Sequence, residues 1–358
     1  MLTAAKLKET ALENCNIDKI GIAGIERFKD APPDMSPLSI MPNAKSVIVF
    51  FKRIPRGCFR GIDEGTHWPS YTAFGYAGLG GMLTWSGYKI AKYIEDNGYE
   101  AVTLASSATS REFGPRGPKN KEGKPRREVT MQHRIAAVLA GLGEIGWSKI
   151  FLSEEFGPRQ RIGIILTDAK LEQDPIKTGI LCDKCKLCVA ECPGGAISKD
   201  KEISIEVEGH KISWGDIDLG KCKLTHFGLN RKNSPHFIKR FPGVDLPTPK
   251  QEVSWLEAHD LGWALFPSIP TYNALSKHGY IAMCGARGCM IGCMKHMERK
   301  GKVKNVFAVK KIFSEKKPWV LPEHPSKECN NGLVYDPGKE VMLQGNDSDK
   351  SAAVSTWY

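Results

Sequence analysis

Residues 182–193 read Cys-Asp-Lys-Cys-Lys-Leu-Cys-Val-Ala-Glu-Cys-Pro, a C-x2-C-x2-C-x3-C-P run. No other feature constrains the chain as strongly. Four thiolates on so short a loop suit an iron–sulfur cube, and Pro193 turns the chain away after the last of them. In proteins with two such clusters, the fourth cysteine of the run serves the other cluster. Cys182, Cys185 and Cys188 then need one further thiolate, and Cys192 needs three. Four more are present: Cys284, Cys289 and Cys293, spaced x4 and x3, and Cys222 between the two groups. We assign Cys182, Cys185, Cys188 and Cys293 to one cluster and Cys192, Cys222, Cys284 and Cys289 to the other. The alternative is structural zinc, for which C-x2-C is half a site. Zinc sites come as two spaced pairs, without a third cysteine at x2 and a fourth before proline. The second group departs from the iron–sulfur pattern in its spacing and in having no proline after Cys293.

The remaining composition agrees with a metal protein and not with a disulfide scaffold. The chain has 358 residues, 41% hydrophobic and 25% charged, which is ordinary for a soluble globular protein of one large or two smaller domains. Eleven cysteines in a chain this long, clustered at metal spacing, do not read as disulfides. Cys15, Cys58 and Cys329 are left as free thiols. The first ten residues hold no uninterrupted apolar run and no twin arginine, and no stretch reaches 18 apolar residues. The expectation is a cytoplasmic protein without a membrane span. The net charge is +11, and the densest basic stretch, 116–127, is rich in Gly and Pro. It reads as a solvated loop. A lid, or a contact for an anionic partner such as RNA or an acidic redox protein, is the functional alternative.

Periodicity predicts a helix over 3–14 and another over 88–97, closed by Gly98. Short β-branched runs predict strands at 19–23, 46–51, 101–104 and 161–167. This is α+β material. We expect a first domain over 1–172, a cluster-bearing domain over 173–303 with a long aromatic- and proline-rich insertion, and a partly disordered extension over 304–358.

Residues 141–146 read Gly-Leu-Gly-Glu-Ile-Gly, and Asp168 follows at a strand end. This imitates a dinucleotide fingerprint. The context fails, because only about ten residues separate Gly146 from Gly157-Pro158, too few for a crossover helix. Three glycines in six residues still let backbone approach a large flat group. That makes Gly141, Leu142, Gly143, Gly146 and Trp147 candidates for the edge of a cofactor site.

Residues 133–168, from His-Arg-Ile-Ala-Ala-Val-Leu-Ala-Gly-Leu-Gly-Glu-Ile-Gly-Trp to the strand ending in Thr-Asp, resemble the segment shared by epoxyqueuosine reductases and reductive dehalogenases. The cysteine run follows about 14 residues later, as in both families. Lys221-Cys-Lys-Leu-Thr resembles the lone-cysteine segment of epoxyqueuosine reductase, and Cys284, Cys289 and Cys293 match its second group in order. The resemblance spans about 1–300. It implies a nitroreductase-like α/β domain that holds cobalamin or another cobamide, beside a ferredoxin-like domain with two [4Fe-4S] clusters. It also implies a low-potential electron donor such as ferredoxin or flavodoxin and a small organic substrate. The epoxyqueuosine branch carries an Asp upstream of the glycine motif. Here that region reads Arg126-Arg-Glu-Val-Thr-Met-Gln-His, with Glu128 the nearest carboxylate. The expectation is a relative without the helical-repeat extension of that branch and without the twin-arginine signal of respiratory dehalogenases.

Reduction needs a proton donor beside the substrate. Tyr71 and Tyr76 lie in an aromatic, glycine-rich stretch, and dehalogenase-like enzymes use a Tyr assisted by a basic residue. Both also suit plain packing against a cofactor or core. His133, eight residues before the motif, is a donor candidate or a structural histidine. Glu128 is the reserve candidate. Glu144, inside the glycine motif, reads as solvated. Besides a cobalamin-dependent reductase, two functions stay open: tRNA epoxyqueuosine reduction, and a dicluster electron-transfer protein with no chemistry of its own.

Overall fold

The computed structural model describes residues 2–64, 67, 69–104, 129–227, 253–265 and 282–305. Glu128, the basic stretch 116–127, Cys329, the extension beyond 305 and most of the insertion lie outside the described residues. In chain order the elements are α1 (Ala4–Asn14), β1 (Lys19–Gly24), β2 (Ser46–Arg53), α2 (Cys58–Glu64), α3 (Pro69–Tyr71), a π-helical turn (Thr72–Ala77), α4 (Gly78–Asp96), β3 (Ala101–Leu104) and α5 (His133–Leu139). Then come β4 (Glu144–Ile145), β5 (Phe151–Leu152), β6 (Gln160–Thr167), α6 (Leu187–Ala190), β7 (Ile197–Val207), β8 (His210–Ile217), α7 (Leu219–His226) and α8 (Trp255–Leu265). A second π-helical turn (Arg287–Gly292) runs into α9 (Cys293–Arg299).

The architecture is mixed helix and strand. Four strands make one sheet in the order β1-β2-β6-β3, every pair antiparallel. The all-apolar sequence of β2 follows from burial on both faces. Val47, Val49 and Phe51 pack with Ile162, Ile164 and Leu166 under α5, whereas Ile48 and Phe50 face Leu7 of α1 and Leu83, Ile90 and Ile94 of α4. Side chains alternate across a strand, so each face feeds its own core. Each large apolar side chain buried there contributes about 1.5–3 kcal/mol. Thr3 caps α1, accepting from the Lys6 amide at 3.3 Å.

A third core joins the two halves of the chain. Ile54, Phe59, Ile62 and Tyr71 pack with Leu224, Phe227, Met283, Met290 and Met294. Residues on both sides of the expected boundary at 172 therefore share one apolar cluster. A buried polar clamp reinforces the join: Arg56 Nη2 lies 2.8 Å from Glu298, and Arg159 donates to the Ile54 carbonyl at 2.8 Å and to Asn305 Oδ1 at 3.0 Å. Strands β7 and β8 form a hairpin, closed by Glu208 and Gly209, both at positive φ. Among the described residues no helix is long and apolar enough to cross a membrane.

Candidate metal centre and its tyrosine neighbours

The glycine motif is the hinge on which the site is built. Gly141 sits at φ +70°, and a methyl there would lie 2.4 Å from the Pro175 carbonyl oxygen. At Gly143 a methyl would lie 2.0 Å from the Leu152 carbonyl oxygen. Leu142 is buried in the core above the sheet. The expectation was a cofactor edge, but the space these glycines clear is filled by the chain itself. Their close packing delivers two side chains to the first cysteine run. Glu144, expected to be solvated, is buried, and its carboxylate accepts from the amides of Ile180, Leu181 and Cys182. Trp147 is buried against Cys188 and Ile197, and its indole donates to the Ser198 carbonyl at 2.8 Å. The Trp147 amide points at Cys182 Sγ, 3.4 Å away.

Cys182, Cys185, Cys188 and Cys293 line one cavity, walled by Trp147, Leu152, Leu181 and Met297. Burial, followed by Cys182 and Cys185, raises the Cys188 thiol to about 11. The Cys293 thiol is raised by burial and then by Cys182, Cys188 and Cys185. The other four thiols influence one another in the same way. Cys222 is raised to about 11 by burial and by Cys192, and Cys284 to about 12 by burial and by Cys222 and Cys192. Cys289 is raised by burial and then by Cys284, Cys222 and Cys192. Cys222 is exposed, and its thiol is shifted by the protein around it. The structure thus brings the eight thiols together as two fours. Thiols crowded out of water and repelling one another lose their protons readily only to a cation, so the donor sets fit metal centres.

The segment from 284 is held against the first run by its glycines. A methyl at Gly288 would lie 2.4 Å from the Cys188 carbonyl oxygen and 2.6 Å from the Cys192 nitrogen. This contact lets Cys293 reach back to the first four while Cys284 and Cys289 join the second.

Tyr71 and Tyr76 adjoin the second four. Tyr71 is buried against Phe59, with ring centroids 4.9 Å apart, and its hydroxyl donates to Met290 Sδ at 3.4 Å. Arg161 of β6 donates to the Tyr71 oxygen at 3.3 Å and to the Gly75 carbonyl at 2.9 Å, and its guanidinium lies 3.9 Å from the centre of the Tyr76 ring. Tyr76 makes an edge contact with Tyr71 and faces His226 at 5.7 Å. Burial raises both phenols. Arg161 opposes this in each, while Cys284 and Cys289 raise Tyr71 further and Cys222 and Cys284 raise Tyr76. His226 Nδ1 lies 4.0 Å from Cys284 Sγ, and burial, followed by the charges of Lys223 and Arg161, lowers its pKa to about 3. His133 opens α5 with Nδ1 3.1 Å from the Met131 carbonyl oxygen. The next residue, Arg134, lowers Tyr76, Cys222 and Cys289.

Sequence reasoning missed Arg134, Arg161 and His226. The only signal for Arg161 was a charge opening an otherwise apolar strand, and the other two had none.

No protein-family model matches the chain. A tetrachloroethene reductive dehalogenase from Desulfitobacterium hafniense is 45% identical over 69 residues, 18% of this chain and 12% of that protein. Another from Sulfurospirillum multivorans is 36% identical over 93 residues, 24% of this chain and 18% of that protein. The chain is similar to reductive dehalogenases over those stretches. They cover less than a fifth of either relative's length. Among solved structures, a catabolic reductive dehalogenase aligns over 76% of this chain and 36% of its own, at 20% identity and a TM-score of 0.41. An epoxyqueuosine reductase from Streptococcus thermophilus aligns over 82% of this chain and 79% of its own, at 15% identity and a TM-score of 0.41. Scores of that size do not establish a shared fold.

Proposed function

We propose that this chain is an oxidoreductase, an iron–sulfur reductase of a small organic substrate with dehalogenation-like or deoxygenation chemistry. Cys182, Cys185, Cys188 and Cys293 hold one [4Fe-4S] cluster, and Cys192, Cys222, Cys284 and Cys289 hold the other. In this reading 1–172 is the nitroreductase-like part and 173–303 the ferredoxin-like part. The observation that carries the proposal is the adjacency of the second thiol group to Tyr71, Tyr76 and Arg161. When bound, the clusters supply single electrons, relayed from a reduced carrier such as ferredoxin or flavodoxin. A protein that only relayed electrons would have no use for a phenol and a guanidinium held there.

The chain's own residues handle the proton. Burial keeps both phenols protonated at neutral pH, so each is an acid and not a base. Tyr71 is enclosed in the core. Tyr76 is only partly buried, and we assign the donor role to it. Arg161 stabilises the phenolate left after transfer. His226 stays neutral at pH 7 and is a polar neighbour, not the acid.

A corrinoid belongs to the proposal through the resemblance and the relatives' chemistry. The glycine motif does not fit its edge, because Pro175 and Leu152 occupy that space. We therefore derive no step through it. The basic stretch that would favour tRNA lies outside the described residues, and the small-molecule reading stands ahead of it.

The test is anaerobic purification and reconstitution, followed by iron, acid-labile sulfide and corrinoid assays. The expected content is about eight irons and eight sulfides per chain. Tyr76→Phe is expected to leave iron unchanged and to cut turnover about 100-fold. Stoichiometric zinc without sulfide would overturn the reading.

A further inference from the structure

Three consecutive amides, those of Ile180, Leu181 and Cys182, converge on one carboxylate. Glu144 accepts from the first two at 2.8 and 3.0 Å and from the third at a shorter distance. Three donors on one side chain suit the acceptor-only form of a carboxyl group. Its residue is 5% exposed. On the opposite polarity, Lys302 Nζ donates to the carbonyls of Ile180 and Leu181 at 3.2 and 3.0 Å. The segment that enters the first thiol group is therefore held by an anion through its amides and by a cation through its carbonyls.

A hydrogen-bond acceptor alone does not call for a carboxylate here. Taking a charge out of water costs several kcal/mol, and a neutral acceptor would hold these amides for less. The charge itself has a consequence at this place. Amides aimed at cluster sulfurs make reduction easier, and a nearby negative charge makes it harder. Glu144 does two things of the same sign. It engages the Cys182 amide, and it places an anion against the backbone of a ligand.

We propose that Glu144 is a positioning residue for the first cluster and holds its reduction potential low. This rests on the iron–sulfur reading above. It goes beyond that reading in assigning one non-ligand residue to the electronic tuning of one cluster.

The test uses the full chain, reconstituted anaerobically, with iron and sulfide assays and an EPR-monitored redox titration of both clusters. Glu144→Gln keeps an acceptor and removes the charge. It is expected to retain the wild-type iron content and to move one midpoint potential in the positive direction, leaving the other in place. Lys302→Met removes a positive charge from the same segment and is expected to move the same potential the opposite way. A purely structural role gives no such opposition of sign. Glu144→Ala, which leaves three amides without an acceptor, is expected to lose about half the iron. If the wild type holds no iron and sulfide, the iron–sulfur reading itself fails. If the wild-type clusters are present and neither charge variant moves a potential, only the role of Glu144 fails.

Discussion

The two thiol groups are built in opposite ways. The first takes three of its four members from the seven residues 182–188 and borrows only Cys293. Its Cys185 is exposed. The second collects Cys192, Cys222, Cys284 and Cys289 from three segments, and burial raises its Cys222, Cys284 and Cys289 thiols. The first is a loop property that the fold stabilises. The second exists only when α7 and the 282–293 segment are docked. The phenols, Arg161 and His226 gather around the group that depends on the fold, which ties chemistry to the completed structure.

The strongest way to break this contrast is to separate the two segments. Gly288 abuts backbone atoms of Cys188 and Cys192 at distances no methyl tolerates, and backbone cannot swing aside as a side chain can. Gly288→Ala is expected to destabilise the protein by about 1–3 kcal/mol. It should abolish the second cluster while a partly ligated first loop survives. Iron assay and thermal melting together check this. As a control, Gly81 in α4 meets nothing within 4 Å, and Gly81→Ala is expected to gain about 1 kcal/mol from helix propensity. Equal iron loss in both variants would mean that the two groups do not depend on that contact.

How much was legible in the sequence follows the same division. All four expected strands form the one sheet, because apolar β-branched runs buried on both faces announce themselves locally. The three-residue spacing of the first run announced its group. The β7–β8 hairpin was passed over. Its signal is present, since Ile203, Ile205 and Val207 alternate with Ser204 and Glu206 at a period of two on a strand that is mostly exposed. The glycine motif was legible as a close approach, but not what it approached, since Pro175 and Leu152 lie outside its own turn. Arg134, His226 and Glu144 act through partners far along the chain and no local pattern marks their roles, while Arg161 shows only as a charge near the start of an apolar strand.

A smaller effect sharpens the contrast between the group carried on one loop and the group assembled by the fold. Cys185→Ala and Cys284→Ala each remove one ligand and are each expected to lose about four of eight irons. Their kinetics differ. In the wild type, an iron chelator is expected to strip the first cluster faster, because three of its four ligands sit on one short loop, whereas each group has one exposed thiol, Cys185 and Cys222. The protein with Cys284→Ala, which keeps only that cluster, should therefore bleach faster than the one with Cys185→Ala. Equal rates would show that the group assembled by the fold is held no more firmly than the loop.

The smallest effect concerns the enclosure of the second group, and it has a defined sign. His226 lies beside Cys284, and its pKa is lowered to about 3, chiefly by burial. An unfolded histidine titrates near 6.5. Between these values the unfolded chain binds a proton that the folded chain does not, so acid favours unfolding. The contribution of neutral His226 is complete above about pH 6.5 and is lost as pH falls toward about 3. His226→Gln removes this proton uptake while keeping a polar side chain. In metal-free protein, which avoids acid release of metal from thiolates, urea melts at pH 7.5 and pH 5 isolate the effect. The wild type is expected to lose more stability than the variant over that interval, by at most about 2 kcal/mol. If both lose the same amount, His226 titrates as a free imidazole. Water then reaches Cys284, and burial does not protect that side of the second group.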